Sequence, residues 1–131
     1  MKNILFADDN KNIREFCKQE LEAEGYRVLL ASDGEEAVRR INEGPTPDVV
    51  LLDLEMPGMG GLATLRQLAQ IRPELPVIIC SGMDDPTVVE CASSLGAHAY
   101  LKKPVQQLYL TAALESCLNA PDEGGSRAAS V

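Results

Sequence analysis

The sequence predicts an α/β domain: a five-stranded parallel sheet, doubly wound as a (βα)5 chain. Three observations predict it. Five apolar runs alternate with five amphipathic ones. Three of the apolar runs are nearly continuous in Ile, Leu and Val, as parallel strands are when helices cover both faces. The amphipathic runs carry helix start and stop signals, and units in this order imply an open, doubly wound sheet.

The elements follow in chain order. "NILFA", ending at Ala7, is the first strand. Asn10 reads as the N-cap of a helix with Ile13, Phe16, Cys17 and Leu21 on one face, stopped at Gly25. "YRVLLA", Tyr26 to Ala31, is the second strand. Ser32 and Asp33 precede Glu35 and Glu36 at capping-box spacing; that helix carries Ala37, Val38 and Ile41 and ends near Gly44. "DVVLL", ending at Leu52, is the third strand. Gly60-Gly61 opens a helix with Leu62, Leu65, Leu68 and Ala69, closed by Pro73. "PVIIC", ending at Cys80, is the fourth strand. Asp85-Pro86 pairs an N-cap with proline at the first helical position, before Val88, Val89, Ala92 and Leu95; Gly96 ends that turn. "AYLK", ending at Lys102, is the fifth strand. Pro104 is expected to open the last helix, with Leu110, Ala113, Leu114 and Cys117 on one stripe. Residues 120–131, "APDEGGSRAASV", have no apolar period and read as a disordered tail or linker stub.

Composition narrows the function. A chain of 131 residues is one ordinary domain, and 45% hydrophobic with 24% charged residues is globular. The net charge of −8 argues against direct binding of nucleic acid, whose phosphates want Lys and Arg, and suits a divalent cation or a basic partner face. Cys17, Cys80, Cys91 and Cys117 form no C-x-x-C pair, and His98 is the one histidine, so a zinc site is not indicated. No apolar segment is long enough for membrane insertion. Free thiols and the absence of an export signal point to the cytoplasm.

The polar residues fall in a pattern. Asp8 and Asp9 follow the first strand, Asp53 the third, Ser81 the fourth; Lys102 and Lys103 close the fifth. Ligands of open α/β sheets bind outside the carboxyl ends of the strands, at the topological switch point. In the five-stranded order 2-1-3-4-5 that point lies between strands one and three, so Asp8 and Asp9 would stand beside Asp53. Three converging carboxylates repel one another unless a cation sits among them, and hard carboxylate oxygens suit Mg²⁺. Asp53 is then a candidate phosphoryl acceptor, since aspartyl phosphate is known nucleophilic chemistry. A lysine and a serine hydroxyl could hold phosphoryl oxygens.

The motifs "FADDN", "LLDLEMPGMGG", "IICSG" and "GAHAYLKKP" resemble, in order and spacing, those of the response-regulator receiver domain of two-component signalling. The resemblance covers residues 1–119, nearly the whole chain. It implies the flavodoxin-like order 2-1-3-4-5, Mg²⁺ ligands at Asp8, Asp9 and Asp53 with the Glu55 backbone carbonyl, and phosphorylation of Asp53. It implies Ser81 as the hydroxyl group, Lys103, just before Pro104, as the lysine, and Ser81 with Tyr100 as switch residues. It also implies a histidine kinase or histidine phosphotransfer protein as phosphodonor, and a target protein reading the face of helix four, strand five and helix five. Glu55 is unusual, an acid two residues beyond the acceptor, and His98 and Ala99 stand where many relatives carry acids.

Two other functions compete. An aspartate-nucleophile phosphatase is faintly mimicked by Asp53-Leu54-Glu55, but such enzymes place that pair after the first strand and need a cap. A flavin-binding domain wants a Ser/Thr/Gly-rich loop where "DDNKN" would repel phosphate. No P-loop occurs, so the phosphate must come from elsewhere. The expectation is a receiver that turns over no external substrate and carries no output domain within these residues.

Overall fold

Strands and helices alternate throughout the computed structural model, which describes residues 1–118. The strands are β1 (Asn3–Ala7), β2 (Arg27–Ala31), β3 (Val49–Leu52), β4 (Val77–Ser81) and β5 (Ala99–Lys102). The helices are α1 (Lys11–Ala23), α2 (Gly34–Glu43), α3 (Gly61–Ile71), α4 (Pro86–Ser94) and α5 (Gln107–Leu118). All pairings are parallel, in the order β2-β1-β3-β4-β5. The expected tail, 120–131, lies outside the described residues, as does residue 119.

The order explains the composition of the strands. β3 and β4 are fully buried and β1 nearly so, because neighbours and helices enclose them; β2 and β5, at the edges, are only partly covered. Successive side chains go to opposite faces. Leu5, Ala7, Val50, Leu52 and Ile79 meet Ile41, Leu65, Leu68 and Ala92 on the side of α2, α3 and α4. Ile4, Phe6, Val49, Leu51, Ile78 and Cys80 meet Leu21 and Leu114 on the side of α1 and α5.

The caps read from sequence are present. The Asn10 side chain accepts from Ile13 N–H at 3.0 Å, and Asp85 from Thr87 N–H at 2.8 Å with Pro86 next in line. Asp33 accepts from Glu36 N–H at 2.8 Å. Glu36 reaches back one residue further than a strict capping box, accepting from Ser32 N–H at 2.7 Å and Ser32 Oγ at 3.0 Å.

That contact carries a pH prediction. The Ser32 N–H above all, then the Ser32 hydroxyl and the nearby Arg40 and Arg39, hold the Glu36 carboxyl below its ordinary range despite partial burial. A carboxylate with a depressed folded pKa adds stability above its unfolded pKa, about 4.3, and loses it as pH falls through the lower folded value. Glu36→Gln is therefore expected to lose about 1 kcal/mol at pH 7. The difference from wild type should shrink toward zero as pH falls through that window, read from urea midpoints followed from pH 7 down through the acid range.

Three expectations need correction. Phe16 is not a core residue: it is 63% exposed, while Leu21 is buried and Ile13 and Cys17 are half-buried. α1 rests on the sheet along a stripe narrower than its apolar residues, and Phe16 falls at its outer edge. Ser81 is the last residue of β4 and not the first of the loop; its carbonyl still accepts a sheet hydrogen bond, from Lys103 N–H at 2.8 Å. α5 starts at Gln107, not at Pro104. Val105 packs against the α1–α5 core, and the Gln106 carbonyl accepts Leu110 N–H at 3.1 Å, so the helix begins only there.

Gly61 sets how closely α3 approaches the end of β3. A Cβ there would lie 2.2 Å from Leu54 Cα and 2.6 Å from the Asp53 carbonyl oxygen. Only glycine fits, and Gly61 N–H donates to the Leu54 carbonyl at 3.1 Å. The segment just past Asp53 is thereby tied to the first residue of a helix.

Candidate functional site

Sheet register brings the acids together. Ala7 and Leu52 are register partners, and Asp8 and Asp53 are the next residues of their chains. Asp53 N–H donates to the Ala7 carbonyl at 2.9 Å, and Asp8 N–H to the Ala31 carbonyl at 3.1 Å. Both carboxylates are buried, at 1% and 2% exposure, whereas Asp9 is exposed. Carboxylate oxygens of Asp8, Asp9 and Asp53 all lie within 4.8 Å of one another.

Lys103 is delivered by the same register. Ser81 pairs with Lys102, and Lys103 follows. Its Nζ donates to Asp8 Oδ2 at 2.7 Å and lies 3.5 Å from Asp53 Oδ2. Lys102, on the alternate face, is 53% exposed and lies 3.8 Å from Asp84. Burial works against the charge on Lys103, but its hydrogen bond to Asp8 and the charges of Asp53 and Asp8 outweigh it, raising this ammonium above the ordinary lysine range. Burial pushes the Asp53 carboxyl up, and the charge of Asp8 adds to this; the Glu55 N–H and Lys103 pull the other way without cancelling it. An isolated buried carboxylate is costly, so this one is poised to gain from added positive charge.

The loops around the acids are pinned by side chains. Arg14 Nη1 donates to the Asp8 carbonyl at 2.8 Å, and Asp8 Oδ1 accepts Asn10 N–H at 2.9 Å. Asp53 Oδ1 accepts Glu55 N–H at 3.1 Å. Ser81 is fully buried, and its Oγ accepts Met83 N–H at 3.1 Å. The Tyr100 hydroxyl donates to the Met83 carbonyl at 2.6 Å with the ring half-buried, so β5 is fastened to the β4–α4 loop. His98 stands apart, exposed, its Nε2 2.7 Å from Ser116 Oγ.

Three of these contacts were not visible in sequence. The run "DGEEAVRR" reads as a solvated face, yet Glu35 Oε2 accepts Met59 N–H at 3.2 Å and so ties α2 to the loop after β3. Arg14 had no assigned partner; its place four residues past the Asn10 cap, on the first turn of α1, was the available signal. The Glu55 carboxylate, noted only as unusual, accepts Gly82 N–H at 3.1 Å.

A doubly wound sheet with three carboxylates and one lysine at its switch point defines a flavodoxin-like domain with an acidic switch-point site. The profile of the response regulator receiver domain matches residues 4–115, and the chain belongs to that family. It is 35% identical over 130 residues to the response regulator MprA of Mycolicibacterium vanbaalenii, covering 98% of this chain and 56% of that protein. It is 32% identical over 117 residues to the alkaline phosphatase synthesis transcriptional regulatory protein PhoP of Bacillus subtilis, covering 89% of this chain and 48% of that one. The chain thus spans about half the length of the curated relatives it matches. A response regulator receiver domain protein of Clostridium thermocellum superposes with a TM-score of 0.86 at 36% identity, covering 91% of this chain and 95% of that one. The response regulator TrrA of Thermotoga maritima, solved in complex with Mg²⁺-BeF, gives 0.81 at 33% identity, covering 90% and 100%. As a receiver domain the chain is a module of phosphorylation-activated signalling, and no comparison favours a phosphatase. Receiver domains generally bind Mg²⁺ at an acidic cluster, and Asp8, Asp9 and Asp53 form one here.

Proposed function

We propose that Asp53 accepts a phosphoryl group from a histidine kinase or histidine phosphotransfer protein, with Asp9, Asp53, Asp8 and the Glu55 backbone carbonyl serving a Mg²⁺ ion. The observation that carries this reading is Lys103 Nζ set 2.7 Å from Asp8 and 3.5 Å from Asp53 at the end of a buried sheet. The donor set fits the ion: clustered carboxylate oxygens, one of them on the exposed Asp9, with no histidine or cysteine in the cluster among the described residues. When bound, Mg²⁺ supplies positive charge to the acids and to a phosphoryl oxygen.

The protein's own groups do the rest. The Glu55 N–H fixes the plane of the Asp53 carboxylate. One Asp53 oxygen attacks phosphorus and an O–P bond forms; the P–N bond breaks with its electron pair going to the donor imidazole, which leaves neutral because its other ring nitrogen already carries a proton. Lys103 neutralises a phosphoryl oxygen, and Ser81 Oγ turns toward another. Moving Ser81 withdraws the acceptor of Met83 N–H, and Met83 is the residue that Tyr100 holds. Ser81 and Tyr100 thereby pass the change to the face of α4, β5 and α5, where a target protein reads it. The module turns over no external substrate and does not itself contact nucleic acid. Among the described residues no helix is long and apolar enough to cross a membrane. We place the protein in the cytoplasm, a reading supported by its free thiols.

The test is a small-molecule phosphodonor with and without Mg²⁺. The expected product is one base-labile acyl phosphate per chain, formed only with Mg²⁺. Asp9→Ala should weaken Mg²⁺ binding and slow labelling at least tenfold, about 1.4 kcal/mol. Unchanged Mg²⁺ affinity in Asp9→Ala would remove Asp9 from the ligand set.

A further inference from the structure

Glu55 spans two loops. Its backbone N–H donates to Asp53 Oδ1 at 3.1 Å, while its side-chain Oε1 accepts Gly82 N–H, also at 3.1 Å, from the loop after β4. One residue therefore joins the acceptor carboxylate to the segment that follows Ser81. Gly82 leaves the room: a Cβ on it would stand 3.1 Å from the same Oε1, tighter than ordinary packing. We propose that the Glu55 carboxylate is a positioning group that occupies the Gly82 N–H in the unphosphorylated protein, and that a phosphoryl group on Asp53 displaces it.

The proposal rests on Asp53 being the phosphoacceptor. The donors around that carboxylate are few. Glu55 N–H is already on Asp53, Lys103 Nζ is shared between Asp8 and Asp53, and Gly82 N–H is taken by Glu55, while Ser81 Oγ is held in place as the acceptor of Met83 N–H. A phosphoryl group adds negative charge and three acceptor oxygens beside them. It repels the Glu55 carboxylate and competes for the Gly82 N–H with an acceptor of the same kind. Glu55 is exposed and its side chain is free to swing into water. Gly82, once released, moves with its neighbours Ser81 and Met83. The bridge between the loops thus opposes the switch, and its removal favours phosphoryl-like ligands.

The experiment compares wild type, Glu55→Ala, Glu55→Gln and Asp53→Asn by amide NMR, with beryllofluoride and Mg²⁺ as the phosphoryl probe. In metal-free protein, Glu55→Ala should shift the Gly82 amide proton upfield and speed its solvent exchange roughly tenfold. Glu55→Gln, which keeps a carbonyl acceptor without the charge, should leave that exchange near wild type. With the probe, Glu55→Ala should bind roughly fivefold tighter than wild type, and Glu55→Gln should fall between them. An unchanged Gly82 signal in Glu55→Ala, or equal probe affinity in wild type and Glu55→Ala, overturns the proposal. Retained probe binding in Asp53→Asn overturns instead the phosphoacceptor assignment beneath it.

Discussion

Asp53→Asn is expected to fold and to form no acyl phosphate at all. The carboxamide keeps the shape of the side chain and an oxygen to accept Glu55 N–H. It loses the charged nucleophile, and no nearby group is placed to substitute. Asp8 Oδ2 is committed to Lys103 at 2.7 Å, and its Oδ1 to Asn10 N–H at 2.9 Å. Asp9 lies outside the buried pocket, without the sheet register that fixes Asp53. Stability should not fall with the loss of charge. Burial and Asp8 both oppose ionisation of Asp53 more than Lys103 and the Glu55 N–H favour it, so a neutral isostere relieves a repulsion. Metal-free Asp53→Asn is therefore expected to unfold at a urea concentration equal to or above that of wild type, while its Mg²⁺ affinity drops. Mass spectrometry after a phosphodonor incubation checks the first point. Undiminished labelling of the variant would mean that another carboxylate is the acceptor.

The parts of this architecture that were legible in sequence share one cause. Central parallel strands must be apolar on both faces, so β1, β3 and β4 announce themselves as runs, and what interrupts each run is a residue at the carboxyl edge. Asp8, Asp53 and Ser81 were visible for that reason: a hydrophobic run fixes the position of the first polar residue after it to within one place. Lys103 was separated from Lys102 only by the family resemblance and its place before Pro104. Helix caps at Asn10, Asp33 and Asp85 were visible because the capping side chain acts two or three residues away in the chain. Contacts that reach into loops were not. Glu55 meets Gly82 across 27 residues and Glu35 meets Met59 across 24, and both depend on loop paths that no periodicity encodes. Phe16 failed for a geometric reason. A stripe of apolar residues on a helix is wider than its line of contact, and sequence does not say which edge is left in water.

Replacing Lys103 by methionine should destabilise the metal-free protein, and Mg²⁺ should restore much of the loss. The aliphatic stem lines an apolar cavity with Phe6, Cys17, Cys80 and Leu110, and methionine preserves that packing. The charge is what disappears. Asp8 and Asp53 then face each other buried, with oxygens inside a 4.8 Å cluster and no ammonium between them. Removing one partner of a fully buried ion pair costs roughly 3–5 kcal/mol. Lys103 keeps 24% side-chain exposure, so water already screens part of the interaction; an expected loss of roughly 2 kcal/mol is reasonable. A cation held by the same acids replaces the missing charge, and a ligand at a hundred times its Kd adds about 2.7 kcal/mol to the folded state. The two effects are comparable, so the gap between wild type and Lys103→Met should be wide in EDTA and narrow in saturating Mg²⁺. Lys102→Met is the control, since its partner Asp84 is 76% exposed, and surface pairs of that kind contribute little. Urea titrations of the three proteins in both buffers make the comparison. The phosphorylated state gives a second reading: Lys103→Met should accept phosphate from a small donor yet leave the Tyr100 ring signals at their resting positions, because the group that draws the phosphoryl oxygen toward β5 is gone. A gap unaffected by Mg²⁺ would separate Lys103 from the metal-binding acids, and a Lys102→Met protein with the larger defect would shift the functional lysine by one residue.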